Sequence, residues 1–403
     1  MRALLDRIGI VALSLAAASP AFALSLRDQL PEAARRVGIE GGSHFDALAG
    51  AIADTAAREL PVISASAGFT YRYNPALEVF ERTSDTLGPI FLERPDTLGR
   101  GKVNVNVSYQ YVDLNEFDGR SLGSLSAPDP IVLKIRDANG NLLGRTANAL
   151  GYDMSLTNHI EALSVTYGVL DDLDVNVLVP LIETHFKVKA TSQRLTDLSL
   201  NPLSPPPAPQ TATLSGNKVG IGDILLRAKY QLPRVGDWRF APGLQLRLPS
   251  GDKDNLQGTG TFEASPFFYA STILWSRVEP HANVGVDLRE DDVSRSQGRY
   301  GLGVDVDVTR RVGVALAFLG RSEFARSAPA GETSFQHRVN GALEQRPLLG
   351  IDFHRKDFFD LSFGARAVVW RQVMLFVNGI YALNNDGLRN DSVIPTVGFE
   401  STF

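Results

Sequence analysis

The sequence contains no cysteine in its 403 residues, so disulfide bonds and thiolate metal sites are excluded. Tryptophan is scarce, with three residues. After residue 23, no apolar run approaches the ~20 residues that a membrane-spanning helix requires. Positive charge is not in excess, because the formal net charge is -5, and this argues against a nucleic-acid partner. Hydrogen bonds and packing alone must hold the fold together.

Residues 1–23 read MRALLDRIGIVALSLAAASPAFA. Arg2 and Arg7 precede an apolar run from Ile8 to Ala18. The following Ala21-Phe22-Ala23 has the small-x-small pattern of a cleavage site. We predict a secretory signal peptide that is removed after Ala23. A retained membrane anchor is the alternative, but the apolar run is too short to span a bilayer.

The stretch GKVNVNVSYQYVDL, residues 101–114, alternates between apolar and polar side chains. Val103 and Val105 share one face of the predicted strand, and Asn104 and Asn106 lie on the other. One interpretation is the edge strand of a soluble sandwich with its valines inward. The other is a strand of a transmembrane barrel, with valines toward lipid and amides toward a wet lumen.

The lengths of the connections favour the barrel. From residue 100 onward, short and long connections alternate, as in an up-and-down barrel with tight turns at one end. The sequence predicts an all-β fold, a transmembrane antiparallel up-and-down β-barrel over residues 63–403. It has about twelve strands, or about fourteen if the break at Asn74-Pro75 adds a hairpin. The predicted strands are 101–114, 155–169, 173–190, 219–232, 238–249, 265–275, 278–289, 298–308, 312–324, 359–370, 373–383 and 393–403. The predicted long loops are 115–154, 192–217, 250–264, 290–297, 325–357 and 384–392.

Some predicted strands are irregular. In 173–190 the apolar side chains change face near Pro180, which indicates a bulge or the end of the membrane band. Residues 265–275 and 373–383 are apolar on both faces, so the pattern does not say which face is inward.

Full charges lie on the polar face of many predicted strands, which is too much charge for the dry core of a sandwich. A wet lumen accommodates them, and opposed charges across a narrow barrel can also bind one another and fill it. Barrels of this size lie between filled and open ones, which favours a narrow passage over a wide porin channel. The residues predicted to line the lumen are Asn104, Asn106, Gln110, Asp223, Arg227, Lys229, Arg239, Arg247, Asp287, Arg289, Asp305 and Asp307.

Aromatic residues mark the predicted membrane interface. Trp238, Trp275 and Trp370 all lie beside short connections, where an interfacial girdle is expected. The chain ends in VIPTVGFESTF, in which Phe399 and Phe403 share a face of the last predicted strand. This pattern resembles the C-terminal insertion signal of bacterial outer-membrane barrels and predicts contact with the barrel-insertion machinery.

Residues 24–62 are rich in alanine and differ from the rest of the chain. Phe45, Ala49, Ile52 and Ala56 recur at three- and four-residue spacing, which is typical of an amphipathic helix. We predict a short helical segment that is packed in the lumen as a plug, lies on the periplasmic side, or is a mobile tether. The pattern does not choose among the three.

Other chemistries find little support in the sequence. His159 shares a strand face with Glu161, and His281 with Asn283, but no motif such as G-x-S-x-G marks a nucleophile. DANGN at residues 137–141 begins like a calcium loop, yet its later glycine and glutamate are missing, so a tight turn is favoured. We predict no cofactor, no metal site and no enzymatic activity, and a barrel hydrolase ranks third among the functions considered.

Five sequence blocks resemble the outer-membrane family named for the meta-pathway of phenol degradation. The blocks are TLGPIFLERPDTLGRGKVNVNVSYQYVD (86–113), YGVLDDLDVNVLVP (167–180), GIGDILLRAKYQL (220–232), LRLPSGDKDNLQGTG (246–260) and PHANVGVDL (280–288). The resemblance implies a barrel that transports aromatic or other hydrophobic compounds, related loosely to the long-chain fatty-acid transporters. It implies no catalytic or binding motif.

The leading functional hypothesis is a passive channel in the bacterial outer membrane for small, partly hydrophobic compounds, in contact with outer-membrane lipid and a small-molecule solute. The strand pattern predicts the barrel, and the resemblance implies the solute class. The main alternative is a structural or surface-interaction barrel with a closed lumen, in which the long outer loops carry the function.

Overall fold

The computed structural model describes residues 24–39, 90–325, 334–347, 354–370 and 372–403, with shorter pieces between residues 49 and 87. The predicted signal peptide over 1–23, together with Phe45, Pro75 and Arg371, lies outside the described residues. No helix in this part of the chain is long and apolar enough to cross a membrane.

The described chain is mostly antiparallel strands. The elements in chain order are α1 (Gln29–Arg36), β1 (Tyr71–Asn74), β2 (Val79–Arg82), β3 (Val103–Leu114), β4 (Glu116–Phe117), β5 (Arg120–Ser121), β6 (Leu125–Ser126), β7 (Ile131–Arg136), β8 (Leu142–Gly168), β9 (Leu173–Arg194), β10 (Gln210–Ile221), β11 (Ile224–Tyr230), β12 (Trp238–Leu248), β13 (Glu263–Thr272), β14 (Val278–Arg289), β15 (Gln297–Thr309), β16 (Val312–Glu323), β17 (Ser334–Val339), β18 (Ala342–Pro347), β19 (Asp357–Trp370), β20 (Val373–Ala382), β21 (Leu388–Arg389) and β22 (Ile394–Thr402). Short 3₁₀ turns lie at Leu122–Ser124, Lys253–Asn255 and Val293–Arg295.

Twelve strands of the described chain form the wall of a closed barrel, which confirms the predicted fold class. Neighbours in the chain pair antiparallel, and β22 pairs with β3 to close the ring. The wall strands are β3, β8, β9, β11, β12, β13, β14, β15, β16, β19, β20 and β22. The fourteen-strand alternative is wrong, because β1 and β2 pair with each other in a separate two-stranded sheet.

The two ends of the barrel differ. Short connections such as 310–311 lie at one end, where the Val103 backbone N–H donates to the Phe403 carbonyl at 3.1 Å. The long connections lie at the other end and contain strands that the sequence pattern assigned to loops. β8 begins at Leu142 and runs for 27 residues, and β17 and β18 form a hairpin inside the predicted loop 325–357.

β10 and β11 share one place in the wall. β9 pairs with β10 over Leu181–Ser192 and with β11 over Leu173–Leu178. The Gln257 side-chain amide fills the break, donating to the Ile182 carbonyl at 3.1 Å and the Lys218 carbonyl at 2.9 Å. The single predicted strand 219–232 is therefore two strands.

The outer face of the wall is apolar. Leu163, Val177, Leu244, Phe268, Val284, Leu302, Leu316, Phe363, Val377 and Phe399 are all exposed there. A closed barrel leaves no unpaired sheet edge in lipid. An apolar belt on its outside is the surface expected of a membrane-spanning barrel. The protein is therefore an outer-membrane barrel, as predicted.

The change of apolar face in β9 is not a bulge, because the pairing with β8 continues without a register shift through residues 174–194. Even-numbered residues of β9 face inward along its length. Near the short turns the inward side chains include Asn176, whereas beyond Pro180 they include Phe186 and Val188. The inward side chains therefore change from polar to apolar along β9 with no bulge, and the end of the membrane band at Pro180 stays a prediction.

Candidate functional site

The lumen is polar in the half that lies toward the short turns, and the residues predicted to line it all lie on its inner face. Ten of the twelve are buried, and the Arg227 and Arg247 side chains are 11% and 12% exposed. They are spread along the barrel and form no single cluster. Asn104 and Asn106 contact β22, Arg289 lies at the rim of the long loops, and Asp223 binds the loop after β12.

A segment before β3 occupies the polar half of the lumen. We call Leu87 and residues 90–98 the inner loop. Its two ends lie near the short turns: the Leu87 N–H donates to Asp307 at 3.2 Å, and the Leu98 N–H donates to Asp174 at 2.9 Å. Its middle reaches half-way up the barrel. There the Asn283 side-chain nitrogen donates to the Glu93 carbonyl, and the Asn283 side-chain oxygen accepts from the Glu93 N–H.

Charged groups hold the inner loop against the wall. The Arg239 guanidinium binds Asp96 at 2.6 Å and Glu279 at 2.8 Å. The Lys229 ammonium donates to the Arg94 carbonyl at 2.8 Å. Arg239, Glu279 and Lys229 are buried, so these contacts satisfy charges that would be costly to leave unpaired.

Apolar side chains of the inner loop fit over glycines of the wall. A Cβ atom at Gly301 would lie 2.5 Å from Leu92 Cδ2, and one at Gly364 would lie 2.7 Å from Ile90 Cδ1. Separations this short are not tolerated between carbon atoms. The glycines therefore leave the space that the inner loop fills.

The half of the lumen toward the long loops contains the N-terminal segment. Leu26, Leu30 and Ala34 are buried, and α1 packs on β9 and β10. Helical residues between 49 and 58 join the same apolar core, which includes buried side chains of β3, β8, β9 and the outer loops. Gly216 on the inner face of β10 leaves room for the side chains of Leu26 and Gln29.

The loop after β12 contacts the N-terminal segment. The Arg27 backbone N–H donates to the Asp254 carbonyl at 2.9 Å, and the Arg27 guanidinium binds the Asp254 carboxylate at 3.1 Å. Asp223 fixes this loop to the wall by accepting bonds from the Gly251 N–H at 3.1 Å and the Thr259 N–H at 2.8 Å. The sequence block at 246–260 thus forms a structural joint between wall and N-terminal segment.

A cavity of about 160 Å³ lies between the inner loop and the N-terminal segment. Residues of β11 to β16 and of β19 to β22 surround it, together with Arg58 and residues 91–93. Among the described residues that line it, six are arginines and four are acidic: Arg58, Arg227, Arg247, Arg299, Arg321, Arg389, Glu93, Glu263, Asp287 and Asp360. The aromatic residues of the lining are Phe91, Phe267, Tyr269 and Tyr300, and amide and aliphatic side chains make up the rest.

Only Arg227, Arg247 and Asp287 of the cavity residues were predicted from the sequence. Phe267 and Tyr269 were missed because β13 is apolar on both faces, so its pattern does not distinguish the cavity from lipid. The inner loop was missed because it is neither strand nor helix. Two features of the sequence could have indicated it: residues 87–98 do not alternate between apolar and polar, and they lie inside the first sequence block.

The remaining predicted residues lie as follows. Trp238, Trp275 and Trp370 are 49%, 83% and 66% exposed, on the outside beside short turns. Phe399 and Phe403 also face outward.

The residues considered for other chemistry have structural partners. His159 faces outward and its Nδ1 lies 2.7 Å from the Tyr109 hydroxyl. His281 faces inward, 3.4 Å from the Asp305 carboxylate. Asp137 accepts bonds from the N–H groups of Asn139 and Asn141 at 2.9 and 2.8 Å, so DANGN is a turn.

Solved structures similar to this chain include three channels. An outer-membrane channel from Pseudomonas putida F1 has 13% identity and a TM-score of 0.44, with 77% of this chain and 98% of that chain covered. A FadL homologue from Pseudomonas aeruginosa has 10% identity and a TM-score of 0.36, with 75% and 90% covered. A mutant of the monoaromatic hydrocarbon channel TodX has 9% identity and a TM-score of 0.35, with 84% and 95% covered. Similarities this low carry no conclusion about a solute or a site.

No curated protein matches the chain. A family model does match, over residues 136–319, from the end of β7 to the middle of β16. The family is described as "Putative MetA-pathway of phenol degradation". Four of the five sequence blocks lie wholly within the matched residues, and the block at 86–113 lies before them. The match confirms the resemblance indicated by the sequence blocks: over these residues the chain is similar to the family of the MetA pathway of phenol degradation.

Proposed function

We propose that this protein is an outer-membrane channel for small, partly hydrophobic compounds such as aromatic ones, and that the described conformation is its closed state. The central cavity carries this proposal. It lies half-way along a membrane-spanning barrel, and it combines aromatic rings with charged groups. Binding sites for small molecules commonly pair an apolar lining with a few well-placed polar groups.

The N-terminal segment and the inner loop would act as the closing parts. Both are separate from the wall strands and are held by side-chain contacts and hydrogen bonds. Glycines rather than large side chains face the inner loop at Gly301 and Gly364, so displacement of the loop would leave an open space. Residues 24–62 would then be a plug in the lumen rather than a periplasmic tether.

Uptake into vesicles tests the channel. The measurement is the initial rate at which labelled benzoate and its neutral isostere benzamide enter proteoliposomes at neutral pH, compared with protein-free vesicles. Faster, saturable entry of either solute is expected. Entry no faster than through bare lipid, for a barrel shown to be folded by its heat-modifiable mobility on gels, would overturn the proposal.

A closed structural barrel is the second candidate function. The apolar core around α1 favours it, because Leu26, Leu30 and Ala34 are almost fully buried and such cores resist opening. This candidate requires that no substitution in the inner loop changes conductance, and that shortening the β17–β18 hairpin impairs function in the cell.

A further inference from the structure

The central cavity has more positive than negative groups. Glu263 is shared by two arginines, since its carboxylate lies 3.2 Å from Arg247 and 3.5 Å from Arg58. Asp287 lies 3.7 Å from Arg299, and Asp360 lies 2.9 Å from Arg389. Six guanidiniums against four carboxylates leave a positive field inside a low-dielectric wall. Such a field favours an anion.

The volume of the cavity and the aromatic side chains that line it favour an aromatic ring as the apolar part of the ligand. Its volume is about 160 Å³, and a cavity of ~150 Å³ holds one benzene molecule in an engineered protein. The rings of Phe267 and Tyr269 are stacked with centroids 5.8 Å apart, and the Arg299 guanidinium lies over Phe267 at 5.5 Å. A single aromatic ring with one acidic group matches this lining.

One of the four lining carboxylates belongs to the inner loop. Glu93, in the middle of the inner loop, has its oxygens 3.9 Å from an Arg227 nitrogen and 3.8 Å from the Lys229 nitrogen. These distances are too long for direct hydrogen bonds. The carboxylate also accepts a hydrogen bond from the Ala65 backbone N–H. Glu93 thus connects the cationic wall to the inner loop and to Ala65.

We propose that the cavity binds single-ring aromatic monocarboxylates and that Glu93 occupies the place of the solute carboxylate in the closed state. This inference rests on the proposed channel function and names its solute class. A solute carboxylate that pairs with Arg227 and Lys229 competes with Glu93. Because Glu93 is the mid-point of the inner loop, its displacement weakens the hold of the wall on that loop. Solute binding and opening are then coupled.

Equilibrium binding tests the site. Isothermal titration calorimetry with the purified full chain in detergent compares benzoate with benzamide, which has the same shape and no charge. Glu93→Gln is expected to tighten benzoate binding about tenfold, since it removes the competing carboxylate. Arg227→Gln is expected to weaken benzoate binding about tenfold, the loss expected for one charge-assisted bond. Neither change should alter benzamide binding by as much.

The matched control is Arg346→Gln, the same change in the β17–β18 hairpin, where the arginine pairs with Asp129 at 3.2 Å. It should leave benzoate binding unchanged. If Arg227→Gln does not fold, Arg227→Lys keeps one charge without the planar fork, and it should weaken benzoate binding less than tenfold but measurably.

The outcomes separate this inference from the channel itself. Weaker benzoate binding in Glu93→Gln, or equal binding of benzoate and benzamide in all variants, would overturn the aromatic-acid site. Faster entry of both solutes into vesicles with no dependence on Arg227 would also overturn the site and leave the channel intact. Arginine-dependent benzoate binding without entry of either solute would instead overturn the channel.

Discussion

The Asp96 carboxylate lies 2.6 Å from the Arg239 guanidinium, and this pair fixes the inner loop to β12. Arg239 also binds Glu279 of β14 at 2.8 Å, so one guanidinium serves a wall carboxylate and a loop carboxylate. Loss of Asp96 therefore releases the loop while the buried wall pair of Arg239 and Glu279 stays intact. Loss of Arg239 would leave the fully buried Glu279 carboxylate unpaired, at a cost of about 3–5 kcal/mol.

Asp96→Asn should raise the basal ion conductance. A charge-assisted hydrogen bond contributes about 1.5–3 kcal/mol, so the open fraction should increase about tenfold or more. Single-channel recording in planar bilayers measures this fraction. Asp129→Asn removes a comparable pair in the outer loops and should leave conductance unchanged. Equal conductance of Asp96→Asn and the parent protein would show that the pair does not restrain the loop.

A disulfide between the inner loop and the wall should lock the closed state. Leu92 packs directly on Gly301, and the chain has no native cysteine that could mispair. The double variant Leu92→Cys/Gly301→Cys, once oxidised, should lose solute uptake and recover it on reduction. Each single-cysteine variant is the control and should not respond to the reductant. Uptake that persists in the cross-linked protein would mean that the loop need not move.

Leu30→Ala should loosen α1 in the apolar core. Leu30 is 1% exposed, and truncation of a buried leucine costs about 2–5 kcal/mol. Because the wall is hydrogen-bonded independently, the cost should fall on docking of the helix rather than on the barrel. Hydrogen exchange measures this as faster exchange of α1 amides with unchanged exchange in β12 to β16. Leu198→Ala, at an outer-loop leucine that is 40% exposed, should change neither.

Most of the wall was predictable because most of its strands carry their own alternating signal. Val103 and Asn104 point to lipid and lumen, and this alternation depends only on neighbouring residues. The outer part of β8 was predicted as loop because its place in the sheet depends on pairing with β9, where Asn148 pairs with the distant Arg194. Local periodicity does not report such pairing.

The contents of the lumen were not predictable for a related physical reason. An amphipathic pattern shows that Ile52 and Ala56 are buried but not what buries them. The place of the Leu92 side chain depends on the space left by Gly301, a glycine more than two hundred residues away. The predicted lumen residues were placed by strand parity, whereas the cavity depends on how far each lies along the barrel axis. Arg227 and Asn104 both face inward but lie in different surroundings.

The three tryptophans should report the depth of the membrane interface. Trp238, Trp275 and Trp370 are exposed on the outer face beside short turns. The chain contains no other tryptophan. An interfacial girdle predicts stronger fluorescence quenching by lipids brominated near the headgroup than by lipids brominated at the chain ends. Aqueous iodide serves as the control and should quench weakly. Dominant iodide quenching would place these residues in water.

The loop between β14 and β15 should respond to acid through Asp291. The Arg289 guanidinium donates to the Asp291 carboxylate at 2.7 Å, and this bond lowers the pKa of Asp291 below its ordinary value. A lowered folded-state pKa means that folding favours the ionised form. The stabilisation is therefore complete above the unfolded pKa of about 4 and is lost as the pH falls through the folded value.

Asp291→Asn should consequently increase amide exchange in residues 290–296 at neutral pH, and the difference from the parent protein should vanish in strong acid. The effect should be small, about 0–1 kcal/mol, because the Asp291 side chain is 41% exposed and solvent screens the pair. The variant and the parent protein are compared at the same pH, so the intrinsic pH dependence of amide hydrogen exchange cancels. Glu290→Gln changes the neighbouring exposed carboxylate and should show no such difference. A difference that persists below the folded pKa would assign the stabilisation to hydrogen bonding that does not need the charge.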